Sequence, residues 1–527
     1  MSNLSPHDYG LPHDEWRAHQ RETIETLLED GHKSTRIVEA PTGSGKTSLA
    51  KAVSMEKSVM ALCRTKNLQV ENYGATYSFD TLFGRANYPC VHQDAMGGAT
   101  AAECLYDTEG MNTCPVAKSC PYLVAKHRAQ ESSQASLNYA YWLTARWPRE
   151  SPPEVLFLDE AHQLPDLTLE QAGISFTMKH KYEWDLPSFP VIRGRNSENP
   201  VALALTWLES ARTVLRKAKA SLADASGKLA KKARKCESLI RKIDATMDAL
   251  NFHSEDWYIR SGPGAAGNEG APLPGFIAKP LTARYHFPNY FLNGHETIMM
   301  SATIGDPDVF VQELGITDYE AMRISSVWPP ETRPVHVLDV PRMGHKSGAG
   351  DYDVQALQIA KAIKALPHDW AGLVHVTRKM EAPLLATRLA KFGLQDRVWV
   401  PPELGSEEQA KAWIARRDSV KGSILIGWSF WEGWDGRDEK FSIVAKCPFP
   451  SLGDPFERER FDYSRRFYSQ RTAWQLEQGI GRVRRGRGGG LDYDENGVMA
   501  KYTAIADGNW TRVKSYLSES FREALVK

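Results

Sequence analysis

An α/β fold built in two units is what this chain predicts, and three observations carry it. Helix-like and strand-like runs alternate from residue 16 to 83, the apolar runs are short enough for buried parallel strands, and the alternation returns in the second half. WRAHQRETIETLLEDG (16–31) reads as a helix, RIVEA (36–40) as a buried strand and KTSLAKAVSME (46–56) as a second helix. The segment from Gly84 to about Gln134 breaks this rhythm with Gly, Pro, Cys and Tyr, and reads as an insertion. VLFLDEA (155–161) resumes the buried-strand pattern. From 200 to 250 the chain is rich in Ala, Leu, Lys and Arg, with Leu215, Ala218, Leu222, Ala225, Leu229, Cys236 and Ile243 at the spacing of packed helices and Gly227 at a turn between them. SGPGAAGNEGAPLPG (261–275) has loop composition. HETIMMSATI (295–304), AGLVHVT (371–377), GSILIGWS (422–429) and FSIVAKCPF (441–449) are strand-like, which sets a second α/β unit from about residue 316.

Composition bounds the function. The chain has 527 residues, 42% of them apolar, enough for several cores. Its N-terminus lacks the basic and apolar regions of a secretory leader, and no apolar stretch is long enough to span a bilayer, so a soluble intracellular protein with no membrane partner is expected. In a reducing compartment the seven cysteines read as thiols or metal ligands. Lys plus Arg (65) equals Asp plus Glu (65), so any polyanion site has to come from a local patch. One such patch is 212–242, with eleven Lys or Arg against Asp224 and Glu237.

APTGSGKT (40–47) lies between a strand and a helix, the setting of a phosphate-binding loop. Gly43, Ser44 and Gly45 let backbone N–H groups close on phosphate oxygens, Lys46 reaches the β- and γ-phosphates, and Thr47 holds Mg²⁺. Ala40 replaces the first glycine of the usual pattern. Downstream, the strand VLFLD ends in two adjacent carboxylates: Asp159 suits Mg²⁺, and Glu160 suits activation of an attacking water. QGIGRVRRG (478–486) adds Arg482 and Arg485 on one helical face, able to act on the γ-phosphate.

These motifs, together with Ser301, Ala302 and Thr303 and with Gln478, Gly481, Arg482 and Arg485 in a QxxGRxxR pattern, resemble a superfamily 2 helicase. RTKNLQ (64–69), GRANYPC (84–90), CPY (120–122), PPETRP (329–334), SFWEGWDG (429–436) and KCPFPSLGDP (446–455) are similar to the XPD/DinG branch of iron–sulfur DNA helicases. The resemblance runs from about residue 16 to 510. It implies two RecA-like parallel-sheet domains that clasp ATP, the first carrying an iron–sulfur insertion and a helical arch. The implied boundaries are 1–83, 136–165 and 284–315 for the first domain, 84–135 for the cluster insertion, 166–283 for the arch and 316–527 for the second domain. It also implies that Arg17 and Gln20 read adenine and that Glu432, Gly433 and Asp435 couple nucleotide to DNA. Trp434 and the Gly-rich run after Arg485 depart from the family pattern.

Cys90, Cys104, Cys114 and Cys120 are separated by 13, 9 and 5 residues, with no Cys-x2-Cys knuckle. That spacing accommodates zinc or an iron–sulfur cluster. The resemblance implies a [4Fe–4S] cluster, while Cys63, Cys236 and Cys447 read as packing residues. The implied activity is ATP-dependent translocation on single-stranded DNA, 5′ to 3′, with unwinding of forked DNA by a monomer and an unspecified loading partner. Tyr88, Tyr139 and Trp142 are candidate base stackers. The alternatives are a translocase that remodels RNA–DNA hybrids or other structures, and a non-catalytic DNA-binding subunit.

Overall fold

A computed structural model of the chain describes residues 5–17, 19–29, 34–41, 44–92, 98–104, 113–145, 147–194, 197–222, 227–262, 275–326, 328–402, 407–428, 439–484 and 501–526. The first five strands are β1 (Thr35–Glu39), β2 (Val59–Cys63), β3 (Asp80–Leu82), β4 (Gln134–Asn138) and β5 (Val155–Asp159). Next come β6 (Ile174–Thr177), β7 (Trp257–Gly262) and β8 (Gly275–Pro280), then β9 (Glu296–Ser301) and β10 (Glu320–Arg323). The C-terminal part supplies β11 (Val335–Val337), β12 (Ala371–His375), β13 (Val398–Trp399), β14 (Ile424–Gly427), β15 (Glu439–Val444), β16 (Tyr502–Ile505) and β17 (Leu525–Val526).

Two seven-stranded sheets result, in the orders β10-β1-β9-β5-β2-β4-β3 and β13-β14-β12-β15-β16-β11-β17. All their pairings are parallel. Helices cover both faces of such sheets, so their central strands are buried on both faces and mostly apolar. This is why β1, β2 and β5 are buried at every position. Among the polar exceptions, Arg36 in β1 donates to the Leu27 carbonyl at 3.1 Å and to Glu296 at 2.7 Å, and Glu39 accepts from the Ile304 and Gly305 amides at 3.0 and 2.6 Å. Strand β10 pairs with β1, so the first sheet runs past the expected boundary at residue 315. A four-residue strand with alternating, half-polar burial carries too little apolar signal to be read from sequence.

Between β5 and β9 the chain leaves the first sheet. It forms the antiparallel sheet β6-β8-β7 and two long helices, Pro200–Ala220 and Gly227–His253, packed through Leu208, Leu215, Cys236 and Ile243. The second helix begins at Gly227, as expected, but Leu229 is 54% exposed and not part of the packed face; Ala225 lies outside the described residues. The cysteine-bearing segment folds as short 3-10 turns followed by helix Pro121–Glu131, and its turn Ala101–Glu103 leans on the second long helix. Arg234 donates to the Ala102 carbonyl at 2.8 Å, and Lys231 pairs with Glu103 at 3.1 Å.

The two sheets dock through helices that follow β15. On helix Arg465–Gly481, Gln470 donates to the carbonyls of Ile304 and Asp306 at 2.8 and 3.0 Å, and Trp474 donates to Ile304 at 3.0 Å. From helix Pro455–Tyr463, the buried Arg460 reaches Asp166 at 2.8 Å.

Candidate active site

The loop expected to bind phosphate leaves the C-terminal end of β1 and enters helix Lys46–Val53. Gly45 sits in left-handed backbone at φ 85°, and a Cβ there would come within 2.9 Å of both Gln20 Nε2 and Ser48 Oγ. Only glycine meets both demands. Buried Ser44 closes the turn on the Pro41 carbonyl at 2.7 Å, and Lys46 Nζ lies across the loop, 3.2 Å from the Ala40 carbonyl. Thr47 is half-buried in the first turn of the helix. Gly43 lies outside the described residues.

The adenine-reading pair expected from sequence meets this loop. Gln20 is fully buried; it donates to Ser48 Oγ and accepts from the Arg17 amide at 3.1 Å. The exposed Arg17 runs its side chain past Gly45. Half-buried Tyr77, not anticipated, stands beside Arg17 and Ser48, which moderate the upward push of burial on its phenol.

Asp159 ends β5, one strand beyond β9 from the phosphate loop. Burial first, and then the neighbouring Glu160 carboxylate, raises its pKa to about 6 against the pull of Lys46. Its carboxylate accepts from the Glu160 amide at 2.9 Å and from the buried Tyr73 hydroxyl at 3.2 Å, while Tyr139 donates to its backbone carbonyl at 2.6 Å. Tyr139 is thus a core support for Asp159, and Trp142 is wholly buried with its indole N–H on the Tyr290 carbonyl. Neither can stack on a base. Tyr88 is half-buried, accepting from the Phe83 amide at 3.1 Å and packing edge-on against Tyr122.

Glu160 takes left-handed backbone at φ 53°, a conformation that costs a non-glycine residue about 1 kcal/mol. The turn brings its carboxylate 3.5 Å from His162 Nδ1. Buried His162 sits at a crossroads. Its Nδ1 lies 2.8 Å from Ser301 Oγ, and its Nε2 lies 2.6 Å from Gln478 Nε2, on the other lobe. An amide nitrogen can only donate, so Nε2 accepts and Nδ1 carries the proton toward Ser301 and Glu160. Ser301 Oγ in turn accepts from the Thr303 amide at 3.2 Å. Arg482, just past the same helix, is close enough to His375 to add to burial in lowering that imidazole's pKa to about 3. Arg485, Glu432, Gly433 and Asp435 lie outside the described residues.

Sequence reading missed Tyr73, Gln470 and Trp474. They carry no motif signature, and their roles depend on partners 86 to 170 positions away.

In the insertion, Cys90, Cys104, Cys114 and Cys120 all line one small cavity with Val91, Ala101, Val116 and Leu123. Among the described residues, the ligand atoms that gather within 4.8 Å of one another are those of His253, Glu255 and Asp256. No three of the four thiols draw that close. Four thiols around one cavity are a donor set that suits an iron–sulfur cluster or zinc. Cys63, Cys236 and Cys447 are buried and apart from this cavity.

A glycine-containing loop, a strand-end carboxylate pair and a second parallel-sheet lobe joined to them through His162 make up a two-lobed parallel-sheet α/β fold. Residues 361–489 match the helicase C-terminal domain family. Among solved structures, the chain is similar to an apo form of XPD (14% identity, 94% of this chain and 97% of that one, TM-score 0.50). It is also similar to an XPD helicase (15% identity, 92% and 94%, TM-score 0.52), and to Xpd4 of S. tokodaii (12% identity, 97% and 100%, TM-score 0.53). The chain has the fold of the XPD helicases. No curated protein sequence matches it. No helix among the described residues is long and apolar enough to cross a membrane.

Proposed function

We propose that the chain is an ATP-dependent DNA helicase that moves along single-stranded DNA, 5′ to 3′, and separates forked duplexes. The observation that carries this reading is the His162 crossroads, which ties the water-activating carboxylate to Ser301 on the first lobe and Gln478 on the second. A change at the γ-phosphate can therefore be felt by both lobes.

With Mg²⁺·ATP bound as substrate, Lys46 neutralises the β- and γ-phosphates, and Thr47 and Asp159 orient the metal's ligand shell. Glu160 takes the proton of the attacking water. His162 holds Glu160 in place and registers whether Gln478 is docked. Arg482 and Arg485 serve the developing charge at the γ-phosphate from the second lobe. Arg17 and Gln20 recognise the base, and Glu432, Gly433 and Asp435 link the lobes to the DNA strand.

The cavity lined by the four cysteines is the support for a [4Fe–4S] cluster, which when bound supplies folding free energy to an insertion with few apolar residues of its own. Cys90, Cys104, Cys114 and Cys120 hold it as thiolates, and the contacts of Ala102 and Glu103 with helix Gly227–His253 brace the insertion against the arch.

The experiment is ATP turnover with and without single-stranded DNA, on wild type and on Glu160→Gln, followed by unwinding of DNA, RNA and hybrid duplexes of equal length. Glu160→Gln should bind Mg²⁺·ATP and turn over at least about a hundredfold more slowly. Absence of turnover in the wild type refutes the motor, and preference for RNA or hybrid duplexes moves the reading to the remodelling class.

A further inference from the structure

Gln20 is the residue expected to read the base, yet its amide is spent inside the protein. Its Oε1 accepts from the Arg17 amide at 3.1 Å and from the half-buried His13 Nε2 at 3.3 Å, and its Nε2 donates to Ser48 Oγ. An amide oxygen has two lone pairs, so both acceptor places are filled. Ser48 in turn donates to the Gly45 carbonyl, and neither Gln20 nor Ser48 has exposed surface. A side chain sealed in this way presents nothing to the edge of a base. The backbone of the same turn is engaged as well. The Arg17 carbonyl accepts from the Gln20 amide at 3.0 Å, and the His19 carbonyl accepts from the Thr23 amide and hydroxyl at 3.2 and 2.7 Å.

The side chains that border the loop toward solvent differ in kind. Arg17 is exposed, and its methylenes pass within van der Waals reach of Gly45. Tyr77, half-buried at the edge of an apolar cluster, stands beside both Arg17 and Ser48. A guanidinium plane and a phenol ring offer faces. Faces stack on any base, whereas telling adenine from guanine takes directional hydrogen bonds to the base edge. A site built on such bonds rejects the wrong partner by about 10⁴-fold or more, and a stacking site does not.

We propose that the nucleotide site is base-tolerant: Arg17 and Tyr77 hold the base by its faces, guanosine and cytidine triphosphates serve as well as ATP to within about tenfold, and Gln20 is a positioning residue that fastens the Arg17 turn to the phosphate loop. This rests on the motor reading for the triphosphate and deepens it in the choice of base.

Full-length protein with Mg²⁺ and saturating single-stranded DNA is assayed for turnover of ATP, GTP and CTP. Displacement of a fluorescent ATP analogue by ADP, GDP and CDP is measured in parallel, without turnover. Wild type should give kcat/KM values and displacement constants within about tenfold across the three bases. Tyr77→Ala should raise KM about tenfold for all three, with less change in kcat, and Tyr77→Phe, which keeps the ring, should stay within about twofold of wild type. Gln20→Ala should raise KM for all three by one common factor, leaving the ratio of ATP to GTP within about twofold of wild type. A thermal melt checks the fold of each variant, and where Gln20→Ala does not fold, the wild-type comparison and the Tyr77 variants decide. A preference for ATP beyond about tenfold in wild type, a loss confined to ATP in Gln20→Ala, or an unchanged KM in Tyr77→Ala overturns base tolerance and leaves the motor standing. No turnover of any triphosphate refutes the motor, and displacement then decides base tolerance by itself; no displacement by any of the three diphosphates overturns both.

Discussion

Asp159 illustrates how much one buried carboxylate has to reconcile. Burial and Glu160 push its pKa up to about 6, while Lys46, the Glu160 amide and Tyr73 pull it down. A raised carboxylate pKa means that its contribution to stability is present below the ordinary carboxylate range and is lost as pH rises through about 6. Metal binding runs the other way, because it needs the ionised form. Affinity for Mg²⁺·ATP should therefore fall as pH drops below about 6, by up to about tenfold per pH unit, whereas Asp159→Asn should give a weak and flat profile. Isothermal titration across that range checks both. His162 calls for a second experiment. Replacing it with Ala leaves Ser301 and Gln478 without their shared partner, so stimulation of ATP turnover by single-stranded DNA should fall about tenfold, the size of a typical coupling free energy, while nucleotide affinity holds. Unchanged stimulation would remove His162 from the coupling.

At the scale of elements, the cysteine-bearing insertion has little regular structure around its cavity. Up to Cys120 its described secondary structure consists of 3-10 turns of three residues each, followed by the helix Pro121–Glu131, and its cavity is walled by four cysteines and a few apolar side chains. Such a segment needs a cross-link to hold one shape. Anaerobically purified protein should be brown, with iron and acid-labile sulfide near four of each per chain. Cys104→Ser should lose that colour and expose the insertion to protease, since a hydroxyl is a poor replacement for a thiolate. Part of the ATP turnover should persist, because the first sheet has a second core cluster, around Ile24, Leu49, Phe157 and Met300, that holds no residue of the insertion, and strand separation should be lost. Stoichiometric zinc in such a preparation contradicts the cluster.

For the whole molecule the lobe interface is decisive. Gly305, at φ 76°, lies so close to the second lobe that a Cβ would stand 2.2 Å from the Tyr516 carbonyl. Gly305→Ala should hold the lobes apart, with ATP affinity within about threefold of wild type and turnover at least about tenfold lower, because the second lobe's groups act on transition-state charge. Small-angle scattering should show a larger radius of gyration. Equal turnover would mean that the interface yields without consequence.

Much of this was legible in the residues themselves. The phosphate loop, the carboxylate pair, the buried strands and the two long helices are local patterns whose geometry follows from neighbours within a few positions, so Lys46, Asp159, Gln20 and Gln478 could be singled out by sequence alone. Four cysteines between two such motifs could be read as one donor set, and the structure brings them around one cavity, although spacing left zinc and iron–sulfur open. Tertiary structure decided the rest. Tyr139 and Trp142 looked like base stackers and became core, β10 joined the first sheet, and Tyr73, Gln470 and Gly305 acquired roles from partners 86, 166 and 211 positions away. A side chain's periodicity shows which way it faces. What it faces is set by how separate elements pack, and that information is spread along the whole chain.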